Sequence, residues 1–282
     1  MKLQEGKPFI VADGEEYLEA EPIETSGGEA AVMSDQNVSE KEKNQDALGI
    51  AMINGFLVAA VADGISGLAD SETIASAWVR ESLSVAEEMF RKKGRINPGT
   101  VDRVSAKRLL QKQREKPNDI KGGTVGSFVV IDPNGLVNVH RFGDPEFARS
   151  RWKGTEVHFT LGVTINLLPQ NVALEDFLAG RLDDIKSVLR PTCREQRVVT
   201  HCLRVDRVSN PLMKPGARFR LRHGEWFIVG TDGIRLYRAP SQYADWFHKH
   251  PKGRPDELAH FASCMVLDGH DNGSGFFYRH GV

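Results

Sequence analysis

The sequence has little cysteine: Cys193, Cys202 and Cys264 are the three in 282 residues. An odd number with no CxxC spacing argues against a disulfide framework and against a structural zinc site, so all three are read as reduced thiols. Long apolar runs are also missing. The densest, Phe56 to Ala62, is far too short to span a bilayer, and the opening MKLQEGKPF turns polar where a secretory signal would become hydrophobic. The expectation is a soluble, cytoplasmic chain with no membrane partner. Nor is there an excess of one charge: 37 Lys plus Arg face 38 Asp plus Glu, no field of the kind that gathers nucleic acid. No internal repeat or low-complexity block is visible. The residues that are present, 40% hydrophobic and 8% aromatic, are enough for a globular core in one large domain or two small ones.

Residues 1–30 are acidic and weakly periodic, which reads as an extended or poorly ordered arm before a domain over 31–282. From 47 to 62, ALGIAMINGFLVAAVA reads as two strands joined at Asn54-Gly55, because a tight hairpin needs positive φ angles that Asn and Gly adopt cheaply. Asp46 precedes the first strand and Asp63 ends the second, so the hairpin brings both carboxylates to one end of a sheet. Helical spacing of Ala75, Val79, Leu83, Ala86 and Phe90 predicts a helix over 71–92, with Asp70 or Ser71 as its cap. A charged helix follows over roughly 99–115. Strands are expected at 124–132 and 136–143, a hairpin around His223-Gly224 within 219–231, helices at 171–190 and 255–267, and a last strand GSGFFYRH. Runs of strands separated by paired helices favour a layered α+β domain with antiparallel sheets.

Four acidic motifs sit at strand ends or beside them: Asn44-Gln45-Asp46, Val61-Ala62-Asp63-Gly64, Thr231-Asp232-Gly233 and Asp271-Asn272. Singly, an Asp-Gly pair after an apolar strand is just a turn. Gathered at one end of a sheet, the carboxylates would repel one another unless divalent cations neutralised them, and oxygen ligands select Mg²⁺ or Mn²⁺ over zinc.

The order and wording of NQDA (44–47), VADGISG (61–67), GGTVGSFVV (122–130), FGDPEFAR (142–149), FIVGTDGI (227–234) and DGHDNGS (268–274) resemble the metal-dependent type 2C Ser/Thr protein phosphatases, the PPM family, in bacterial form. The resemblance covers about residues 34–280. It implies a four-layer αββα sandwich with two central antiparallel sheets, flanked by helix pairs. It also implies two divalent cations, Mn²⁺ or Mg²⁺, bound at one end of that sandwich. Asp63 would bridge both cations and the Gly64 carbonyl would contact the second. Asp232 and Asp271 would complete the first site, Asp46 would help hold the second, and Asp144, with Asp232, would serve a third, weaker site. The implied activity is hydrolysis of phosphoserine and phosphothreonine by a metal-bridging water or hydroxide, on phosphorylated protein substrates, opposing a cognate Ser/Thr kinase. A covalent phosphoenzyme is not needed, and no Cys-x5-Arg loop is present to make one.

The sequence departs from the family wording around the substrate. Lys41 stands where many members carry a phosphate-gripping arginine, with Lys43 nearby, and a lysine supplies a point charge without the planar fork. Ile65 replaces a histidine common in eukaryotic members, and Pro145 interrupts the Gly-Asp-Ser-Arg wording with a residue that lacks an amide. Residues of about 150–215 are the least family-like and cover the flap region. These departures keep two alternatives open: a pseudophosphatase that binds phosphoprotein or kinase partners without turnover, and a hydrolase of small phosphate esters. His201-Cys202 and His248-Lys249-His250 read as surface or packing residues, and His270 as a neighbour of a ligand.

Overall fold

The computed structural model describes residues 3–12, 14–17, 22–37, 43–65, 70–115, 122–143, 145–153, 156–161, 167–169, 197–199, 203–204, 216–236, 239–267 and 271–281. The strands within them are β1 (Phe9–Val11), β2 (Ile23–Thr25), β3 (Gly28–Asp35), β4 (Ala47–Ile53), β5 (Phe56–Gly64), β6 (Gly123–Ile131), β7 (Leu136–Phe142), β8 (Glu146–Lys153), β9 (Glu156–Leu161), β10 (Leu167–Pro169), β11 (Arg197–Val199), β12 (Leu203–Arg204), β13 (Gly216–Arg220), β14 (Trp226–Gly230) and β15 (Gly273–His280). The helices are α1 (Ser71–Lys93), α2 (Pro98–Glu115), α3 (Pro240–Lys249) and α4 (Pro255–Leu267), with a 3-10 turn at Asp232–Ile234. A seven-stranded antiparallel sheet runs β1-β4-β5-β6-β7-β13 with β12 beside β6, and a six-stranded one runs β2-β3-β15-β14-β8-β9.

Successive side chains of a strand point to opposite faces, and here both faces are covered. Leu48, Ile50 and Met52 of β4, with Leu57, Ala59 and Val61 of β5, meet Val32, Phe227, Val229, Phe276 and Tyr278 between the sheets. The intervening Ala51, Ile53, Val58, Ala60 and Ala62 pack under α1 and α2. On the other side, Ala31, Met33, Trp226, Ile228 and Phe277 pack under α3 and α4, around Tyr243, Trp246, Phe247 and Leu258. The result is the expected four-layer αββα order. Double coverage also explains why these strands read as continuous apolar runs rather than alternating ones.

Several elements appear where expected. Asn54 (φ 48°) and Gly55 (φ 80°) turn the β4–β5 hairpin. The second helix starts one residue early, at Pro98, because Asn97 caps it: its Oδ1 accepts from Thr100 N at 3.0 Å. Asp70 occupies the cap position of α1 in a left-handed conformation (φ 59°) without a side-chain capping bond, while Ser71 Oγ donates to the Ile65 carbonyl at 2.9 Å.

Three elements differ. The stretch read as an acidic arm supplies β1 to one sheet and β2 and the start of β3 to the other. The chain does turn at His223-Gly224, with Gly224 at φ 77° and Glu225 N donating to the Arg222 carbonyl, but β13 and β14 belong to different sheets. β14 is already paired on both sides by β8 and β15, so β13 pairs with β7 instead. Helix α3 went unread because it is short and starts on a proline, although its buried Tyr243 and Phe247 are four residues apart. The helix expected at 171–190, and most of 150–215, lie outside the described residues. Among the described residues, no helix is long and apolar enough to cross a membrane.

Candidate functional site

The carboxylates extend the inward-facing rows of their strands. Asp46 stands two residues before Leu48, and Asp63 two residues after Val61, so both continue the face that meets the other sheet. Ala47 pairs with Ala62, which places the two aspartates at the same end of the hairpin, one step beyond that pair. Gly64 N donates to the Gln45 carbonyl at 3.1 Å, and a Cβ on Gly64 would lie 2.6 Å from that oxygen. Only glycine lets the end of β5 come so close to the Asn44–Asp46 turn. Thr124 Oγ1 fixes the Asp63 carbonyl from β6 at 2.7 Å.

The six-stranded sheet brings its own pair to the same end. Asp232 opens the 3-10 turn after β14, and Asp271 precedes β15, the strand beside it. A Cβ on Gly233 would fall 1.7 Å from the Asn272 carbonyl, so this glycine permits the two acidic segments to touch. Asp271 Oδ1 accepts from Asn272 N at 3.0 Å. Asn272 then reaches the other half, its Nδ2 donating to the Lys43 carbonyl at 3.0 Å, while its Oδ1 accepts from Asn37 N, just past the neighbouring β3, at 3.3 Å.

Asp46 is the electrostatic centre. Its side chain is buried, and its pKa is raised from 3.8 to about 8. Burial is the largest cause and the negative charges of Asp271 and Asp232 act in the same direction, against hydrogen bonds from Thr231 and Ser274 that lower it. Thr231 Oγ1 donates to Asp46 Oδ2 at 2.7 Å. Carboxylates from both sheets therefore act on one another at this end. Among the described residues no three His, Cys, Asp or Glu side chains close into a ready-made cage. Lys43 reaches Glu72 at the start of α1, at 3.1 Å. Lys41, Asp144, His270, Cys193, Cys202 and His201 lie outside the described residues. His250 stacks on Trp246 at 4.9 Å, a packing role as expected.

Compared by sequence, the chain matches no protein-family model and no curated protein. Compared by structure, it is similar to many solved chains. The serine/threonine phosphatase Stp1 from Staphylococcus aureus shares 15% identity and a TM-score of 0.68, over 89% of this chain and 94% of that one. The PPM Ser-Thr phosphatase MsPP from Mycobacterium smegmatis, in complex with cacodylate, shares 18% identity and a TM-score of 0.59 over 89% and 98%. The catalytic domain of the phosphatase PstP, in complex with two manganese ions, shares 15% identity and a TM-score of 0.57 over 89% and 96%. The chain has the PPM phosphatase fold.

In this PPM-fold chain, the donor chemistry at the sandwich end suits a hard divalent cation. The candidates are carboxylates and a backbone carbonyl, and the repulsion felt by Asp46 is what a bound cation would relieve. Sequence reasoning missed Ser34, Thr231 and Ser274 as residues of the site. Their place emerges once the strands are paired: each occupies the next inward position of its strand, after Val32, after Val229 and before Phe276.

Proposed function

We propose that this protein is a metal-dependent Ser/Thr protein phosphatase, hydrolysing phosphoserine and phosphothreonine in protein substrates and so opposing a Ser/Thr kinase in the cytoplasm. The observation that carries the proposal is the buried Asp46, raised to about 8 and facing the charges of Asp271 and Asp232 from the other sheet. Asp46, Asp63, the Gly64 carbonyl, Asp232 and Asp271 would hold two divalent cations, Mn²⁺ or Mg²⁺, with Asp144 and Asp232 at a third, weaker site. Such cations supply a Lewis acid for phosphoryl oxygens and make water nucleophilic near neutral pH.

The chain's own residues do the positioning. Thr231 and Ser274 donate to Asp46, the Asn272 amide donates to Asp271, and Thr124 anchors the backbone of Asp63. Lys41 and Lys43 are the proposed contacts to the substrate phosphate, acting as point charges rather than as a bidentate fork. The test is hydrolysis of p-nitrophenyl phosphate and of phosphopeptides, with and without Mn²⁺. Turnover that appears with Mn²⁺, disappears with a chelator and has a higher kcat/KM on peptides than on small phosphate esters is expected. A protein that binds Mn²⁺ yet leaves all of these intact would overturn the proposal.

A further inference from the structure

Any metal centre at this end must straddle two sheets, because Asp46 and Asp63 come from one and Asp232 and Asp271 from the other. Between the sheets the packing is apolar, and apolar contact is non-directional: it sets how far apart two layers lie but only weakly how one sits along the other. Hydrogen bonds are directional, and a connected set of them occupies this end.

The set runs as follows. Asn44 Oδ1 accepts from Asp46 N at 3.1 Å, while Asn44 Nδ2 donates to the Glu15 carbonyl at 3.0 Å and to Ser34 Oγ at 2.9 Å. A main-chain amide can only donate and a carbonyl only accept, so these partners fix which end of the Asn44 amide is which. Ser34 Oγ, having accepted, has its own proton to give, and Ser274 Oγ lies 2.8 Å away. Ser274 in turn bonds the Asp46 carboxylate. Its backbone N donates to Thr231 Oγ1 at 2.9 Å, which leaves the Thr231 proton for Asp46 Oδ2. Each hydroxyl proton therefore points toward Asp46. Ser34, Asn44, Thr231 and Ser274 are all buried, and their bonds pass from one sheet to the other.

We infer that Ser34, Ser274 and Thr231 form a relay of neutral hydroxyls that positions the Asp46 carboxylate and fixes its spacing from the aspartates of the opposite sheet. These are positioning residues, acting on a cation only through Asp46, and the inference rests on the metal-centre reading above. The relay begins on β3, in a stretch with no acidic motif, and Asn44 ties it to the backbone at Glu15 in the amino-terminal segment.

The test uses the full metal-free chain, with Mn²⁺ binding followed by calorimetry and folding followed by thermal melting. Thr231→Val removes the donor at nearly constant volume and should weaken Mn²⁺ binding by roughly 10-fold or more, as for groups that orient metal ligands. Thr231→Ser keeps the hydroxyl and should restore affinity to near that of the natural chain. Ser34→Ala leaves both direct donors to Asp46 in place and should weaken binding by roughly threefold, the scale of one hydrogen bond. If Thr231→Val does not fold, Thr231→Ser and Ser34→Ala still decide the matter. Wild-type affinity in Ser34→Ala, or a loss of roughly 10-fold or more in Thr231→Ser, would overturn the relay alone. A natural chain that binds no Mn²⁺ would overturn both the relay and the metal-centre reading.

Discussion

The interface between the two sheets has a middle and an end, and they are built from opposite chemistry. In the middle, Val32, Leu48, Val61, Val229 and Phe276 pack without a polar atom among their side chains. One inward step further along the same five strands stand Ser34, Asp46, Asp63, Thr231 and Ser274. The fold thus changes from oil to hydrogen bonds within two residues, on both sheets at once. Burying those polar groups costs stability unless each finds a partner, so a polar end of this kind serves position rather than adhesion. The middle makes the fold and the end makes the site.

Substitutions at the two places should break that division most visibly. Asp63→Asn and Asp232→Asn should each abolish Mn²⁺-dependent turnover while leaving the melting temperature nearly unchanged. Phe276→Ala, in the apolar middle, should cost about 3–5 kcal/mol in denaturant unfolding, because a buried aromatic leaves a cavity that the neighbours only partly fill. If the aspartate variants unfold the protein, the end is holding the fold together and the division fails. Gly233→Ala lies between these extremes. Its Cβ would sit 1.7 Å from the Asn272 carbonyl, so the two acidic segments must part; a loss of about 1–3 kcal/mol or more and weaker Mn²⁺ binding are expected together.

How much of this was legible in the sequence follows from the same contrast. Hairpin β4–β5, α1 and β15 were readable because their signals are local: Asn54-Gly55, a helical stripe, and the strand-like segment GSGFFYRH after a polar break. The destination of β13 was not, since a turn at His223-Gly224 fits a hairpin and a sheet-to-sheet crossing equally well. What decides it is that β14 already has β8 and β15 beside it, with the Arg149–Glu225 ion pair and the Arg149 bond to the Arg220 carbonyl bracing the crossing. The aspartates stood out as Asp-Gly and Asp-Asn pairs at strand ends. Ser34, Thr231 and Ser274 did not, because a lone hydroxyl at a strand end carries no signal until the strands are paired and their inward faces known.

Acidity offers a gentler probe of the polar end. Asp46 in the folded chain has a pKa of about 8 against the ordinary value of 3.8, so over that interval the folded state keeps a proton that the unfolded state has lost. Stability from this source is fully present below the unfolded value and is lost as pH rises through about 8. Buried Asp35, also raised by burial, adds in the same direction. Chelated protein should therefore melt at a lower temperature near pH 8.5 than near pH 6, and Asp46→Asn should flatten the difference. Saturating Mn²⁺ should narrow it too, since a cation favours the ionised carboxylate. A chelated protein whose melting is indifferent to pH over this range would mean that Asp46 is less enclosed than its burial indicates.

The smallest effect is expected at Lys43, where inside and outside meet in one residue. Its carbonyl belongs to the polar end, accepting from Asn272 Nδ2 at 3.0 Å, whereas its side chain is 69% exposed and pairs with Glu72 at 3.1 Å. An exposed pair of this kind contributes between zero and about 1 kcal/mol, so Lys43→Ala should leave melting almost unchanged, the backbone bond being kept. If the ammonium also meets substrate phosphate, KM for a phosphopeptide should rise about threefold to tenfold, the worth of one charged contact, with kcat and Mn²⁺ affinity unaltered. An unchanged KM would confine Lys43 to its bonds with Asn272 and Glu72 and leave the substrate grip to Lys41. Asn272→Ala completes the comparison: it removes the bond to the Lys43 carbonyl and should lower Mn²⁺ affinity, which Lys43→Ala should not.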